Sequence, residues 1–72
     1  MDTPHDANQH VPHDLLNRSV RDIASGTEGI LMAVVHENVG TLGDHWMDIA
    51  YIRPERGGVE FTTAAANIEA AR

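Results

Sequence analysis

The sequence has no cysteine, no lysine and only three aromatic residues, Trp46, Tyr51 and Phe61. Without cysteine, no disulfide can staple the fold, and the thiol-free composition is in keeping with a reducing compartment; a cytoplasmic location is expected. Without lysine, the fixed cations are Arg18, Arg21, Arg53, Arg56 and Arg72, set against eleven acidic residues for a net charge of −6. That balance disfavours general nucleic-acid binding, which uses a cationic face to release counterions. No apolar run is long enough to span a bilayer. The N-terminal stretch also lacks the basic start and apolar segment of a secretory signal.

Within these bounds, 72 residues leave room for a single domain. A chain of this length buries a modest fraction of its surface, and with no disulfide its stability must come from a metal, a partner, self-association or very good packing. Self-association is the least demanding of these.

Residues 1–13 are polar apart from Met1, Ala7 and Val11 and carry His5, His10 and His13. They read as a disordered tail, because so little apolar surface cannot offset the entropy of ordering. Three irregularly spaced histidines on a flexible tail are a weak metal signal. Residues 14–72 form the expected domain. Residues 14–26 carry two patterns at once. Leu16, Val20 and Ile23 have helical spacing with Asp14 as a cap, whereas Val20, Asp22 and Ala24 alternate with Arg21 and Ile23 as in a strand.

Residues 29–37 are the clearest element. Ile30, Leu31, Met32, Ala33, Val34 and Val35 are consecutive apolar residues, too few for a buried helix and rich in branched side chains. Apolar residues of both parities predict a strand covered on both faces, hence a closed barrel or a dimer. A two-glycine loop follows. The next strand is predicted over residues 45–53 and is closed by Pro54, which cannot donate to a ladder. Residues 55–57 form a turn, residues 58–63 return as a third strand with Val59, Phe61 and Thr63 on one face, and residues 64–71 read as a short alanine-rich helix capped by Thr62 or Thr63.

The strings Ile52-Arg53-Pro54 and Gly57-Gly58-Val59-Glu60-Phe61, with Gly29-Ile30-Leu31-Met32 and Val20-Arg21-Asp22 before them, resemble short uncharacterised actinobacterial proteins. Those proteins carry an apolar strand opened by glycine, then Leu-Arg-Pro and Gly-Gly-x-Glu-Trp around a hairpin. The likeness covers residues 20–68, about two thirds of the chain. Ile52 replaces the leucine, Phe61 replaces the tryptophan, and the loop between Glu37 and Trp46 is longer. What the resemblance implies is a mostly β fold, a small SH3-like antiparallel barrel or curved sheet, with a strand in the second half of residues 14–26. It implies no activity.

No catalytic grouping stands out. Ser19 and Ser25 have no histidine in an evident relation to them, no phosphate-binding glycine pattern is present, and so many acids make chance carboxylate pairs inevitable. An enzyme is not expected, nor is a cofactor. A metal site has one candidate set, His36, His45, Asp44 and Asp48, flanking the loop between two predicted strands; the simpler reading is solvated histidines at a loop mouth. Aromatic residues near a hairpin can line a peptide groove or simply fill the core. Arg53 and Arg56 suit a carboxylate or phosphate, or surface pairing with Glu55, Glu60 or Asp48. Trp46, Tyr51, Arg53, Arg56 and Glu60 are therefore the candidate binding residues. The expected function is a non-enzymatic protein-interaction module that pairs with a protein partner or with itself through an apolar strand face. The alternatives are a nucleic-acid-associated barrel using Arg18, Arg21, Arg53 and Arg56, and a His/Asp metal-binding accessory protein.

Overall fold

The computed structural model describes residues 9–71, which form a mostly β domain of six antiparallel strands in one open sheet. The strands are β1 (Gln9–His10), β2 (Ser19–Asp22), β3 (Glu28–Asn38), β4 (Trp46–Pro54), β5 (Phe61–Ala64) and β6 (Ile68–Ala70). Their order across the sheet is β5-β4-β3-β2-β6, with β1 pairing the far half of β3. None of the helices among the described residues is long and apolar enough to cross a membrane.

The double pattern of residues 14–26 resolves into a turn followed by a strand. Residues 14–17 fold over themselves, with the Leu15 amide on the His13 ring and Asn17 at φ 66°, a left-handed value that asparagine tolerates. Leu15 and Leu16 thereby reach the core, while Ile23, the third residue of the helical pattern, is exposed. Of the tail expected over residues 1–13, residues 1–8 lie outside the described residues. The remainder departs from the expectation: Gln9 and His10 pair with His36 and Val35, and the Val11 amide donates to the Val34 carbonyl. The exposed edge of β3 offers unpaired backbone groups, and the tail satisfies them.

The apolar run of β3 has a cause the sequence reading did not foresee. Leu31 pairs with Ile52 and Ala33 with Tyr51, so Met32 is an extra residue at a bulge. The inward parity switches there: Leu31 faces the core before it and Val34 after it. Two inward parities therefore arise partly from a kink in one strand and not only from two covered faces. The second residue of this strand is glycine because a Cβ at Gly29 would collide with the Arg53 carbonyl and the Ile52 side chain.

The core is Val20, Leu31, Val34, Ala50 and Ile52, with Val11, Leu15, Leu16, Phe61, Ala65 and Ile68 packed around it. Full burial of side chains such as Leu31 and Ile52 contributes roughly 1.5–3 kcal/mol each. The helix predicted over residues 64–71 is instead a single 3-10 turn, Ala65–Asn67, followed by β6. Ile68 enters the core on a strand, and pairing with β2 secures the segment better than one apolar contact on a frayed helix could. The third strand starts later than predicted, at Phe61. Gly57 and Gly58 both have positive φ, and Val59 is left exposed in the turn and not aligned with Phe61.

Candidate functional site

Strand alternation divides β4 into two faces. Asp48, Ala50 and Ile52 follow Trp46 on the core side, whereas Met47, Ile49, Tyr51 and Arg53 point outward. The opposing outward residues of β3 are Ile30, Ala33, Val35 and Glu37, paired in turn with Arg53, Tyr51, Ile49 and Met47. This outer face is an apolar strip with a cation at one end and a carboxylate at the other.

Tyr51 organises the strip. Its hydroxyl donates to a Glu37 carboxylate oxygen two rows away, so the side chain crosses the Val35–Ile49 row. Val35 is buried although it faces away from the core cluster. The hydrogen bond to Glu37, followed by burial and by the negative charge of Glu37 and Glu60, raises the Tyr51 pKa above the usual phenol value, so the hydroxyl stays a donor. His10, Met32, Ala33, Val35, Tyr51 and Glu60 line an open cleft of about 290 Å³ on this face.

Of the predicted binding residues, Tyr51 and Glu60 thus come together, with Arg53 on the same face. Arg56 lines a different cleft of about 470 Å³ with Thr27, Glu28, Pro54 and Glu55. Trp46 lies on the opposite face, stacked on the His36 ring at 5.2 Å between centroids and 16° between planes. Phe61 packs against the core. Neither Arg53 nor Arg56 forms the predicted ion pair with Glu55, Glu60 or Asp48 among the described residues. Arg21 is engaged by Glu28 at 3.2 Å and Glu69 at 2.7 Å, so the arginine set of the nucleic-acid alternative is not uniformly available.

The four candidate metal ligands separate. His36 Nδ1 meets Asp48 at 2.8 Å, while Asp44 accepts from the Asn38 amide at 2.9 Å and the His45 backbone amide donates to the Asn38 side chain. Among the described residues, no three histidine or acidic side chains converge as a metal site would require.

Sequence reasoning passed over Asp22 and Glu37. Asp22, 7 % exposed, accepts hydrogen bonds from the Ser25 hydroxyl at 2.6 Å, the Thr63 hydroxyl at 2.9 Å and the Asn67 amide at 2.6 Å. Its spacing to Ser25 is a turn signature that was present in the sequence. Nothing local marks Glu37, whose role depends on Tyr51 reaching across two rows.

No family model matches the chain, and no curated protein or solved structure matches it.

Proposed function

We propose that this chain is a non-enzymatic protein-interaction module of SH3-like build that self-associates through the apolar outer face of β3 and β4. The observation that carries the reading is the strip of Ala33, Val35, Met47, Ile49 and Tyr51, which lies on the side of the sheet away from the core. Within one copy Val35 is buried and Ala33, Met47, Ile49 and Tyr51 are half-buried, so part of the strip's apolar area is left for a partner to cover, and tyrosine adds contact area at low entropic cost. The SH3-like reading draws support from the strand order, in which the last strand returns beside β2 after a 3-10 turn. The non-enzymatic reading draws support from the serines: Ser19 donates to Glu55 and Ser25 to Asp22, and neither is set against a histidine base.

Light scattering behind size exclusion tests self-association. The wild type is expected to elute as a dimer and Ile49→Glu as a folded monomer, because a carboxylate cannot be buried in the strip without a partner. A wild type that stays monomeric as concentration rises removes the reading.

A further inference from the structure

Arg53 and Glu37 stand at opposite ends of the outer strip, and their positions are related in a way that suits pairing between copies. Along β4 the outward residues are Met47, Ile49, Tyr51 and Arg53, and Glu37 lies directly across from Met47. Six residues of strand separate Arg53 from the Met47–Glu37 row, about 20 Å at the usual rise. The midpoint falls at the Val34–Ala50 row. Arg53 is exposed and has no ion-pair partner among the described residues. Glu37 is bound by the Tyr51 hydroxyl through one oxygen, which leaves its other oxygen free to accept from a guanidinium.

We propose that the occupant of the strip is a second copy of this chain, laid face to face about a two-fold axis that crosses the strands at the Val34–Ala50 row. This rests on the self-association reading above and assigns its register. Rotation about that axis stacks each strand on the same strand of the partner, so Tyr51 lies over the partner's Ile49 and Arg53 over the partner's Met47. The partner's Glu37 lies one strand spacing of about 4.8 Å to the side, within reach of the Arg53 guanidinium, and these contacts recur by symmetry. The apolar centre then becomes the filling between two stacked sheets, which pack about 10 Å apart. Charge complementarity selects this occupant. Two copies that each carry −6 repel in general, so a matched pair of opposite charges at each end of the strip offsets the repulsion where the faces meet. Guanidinium and carboxylate also suit a two-pronged contact.

Charge reversal tests the register in the full chain by sedimentation equilibrium. Arg53→Glu and Glu37→Arg, each alone, are expected to raise the dimer dissociation constant by roughly ten-fold or more, since each creates two like-charge contacts per dimer. The double variant R53E/E37R restores opposite charges and is expected to recover most of the wild-type affinity. Glu37→Gln keeps an acceptor for the Tyr51 hydroxyl, loses only the charge, and is expected to weaken the dimer less than Glu37→Arg. A dimer broken by Ile49→Glu yet indifferent to Arg53→Glu overturns the register and leaves the face reading standing, as does a double variant no better than the single ones. A wild type that is monomeric at all concentrations overturns both. A monomer that captures an oligo-arginine peptide, and loses it in Glu37→Gln, also overturns the second copy and gives the strip to a basic partner.

Discussion

Asp22 ends β2, yet its carboxylate accepts hydrogen bonds from Thr63 on β5 and Asn67 in the 3-10 turn as well as from nearby Ser25. In a flat sheet of this order β2 and β5 are three strand spacings apart, about 14 Å. The hydrogen bond therefore requires the sheet to curl, and Asp22 ties its two sides together. These hydrogen bonds, Ser25 first, hold the Asp22 pKa below the ordinary carboxylate value. The folded state gains most from this above the unfolded-state pKa, and the contribution is lost as pH falls through the lower, folded value. Asp22→Asn is expected to lower the melting temperature at neutral pH and to flatten the acid limb of stability; thermal melts from pH 7 downward check both. Gly29 acts through space instead of charge. Gly29→Ala forces backbone apart where β3 meets Arg53, and chemical denaturation is expected to register a loss of about 1–3 kcal/mol.

At the scale of the element, β3 and β4 make one long hairpin with two unequal ends. Near Leu31 and Ile52 it is core; beyond His36 it projects as an arm whose loop carries Leu42, fully exposed. Leu31→Ala is expected to cost about 2–5 kcal/mol, whereas Leu42→Ser should shift stability by less than about 0.5 kcal/mol. Equilibrium unfolding of the two variants separates core from arm, and a large loss in Leu42→Ser would mean that the tip is packed. The strands themselves could be read from apolar runs and from Pro54, which does end β4. The bulge at Met32 could not. Its consequence, a change of inward parity, looks in the sequence like a strand with two apolar faces.

For the whole molecule, the small core and the apolar outer strip lie on opposite sides of one sheet, so the proposed association would use a face separate from the packing that stabilises the fold. If the folded chain dimerises, mass action couples the two, and the melting temperature is expected to rise with protein concentration. Calorimetry over a hundred-fold dilution series, roughly the range needed for a clear shift, checks this. Ile49→Glu should abolish the dependence.

Sequence alone determined the class of the fold, because consecutive branched apolar residues, glycine pairs and a proline restrict local conformation to strands and turns whatever surrounds them. It also picked out Tyr51, Arg53 and Glu60 near one hairpin. Tertiary structure decided which way each of them points. Alternation sends Trp46 and Tyr51 to opposite faces, the Ser25 turn and the curl make Asp22 a tie instead of one acid among eleven, and strand register brings Glu37 to Tyr51. Those outcomes depend on pairing between distant segments, and a one-residue change of register would reverse them.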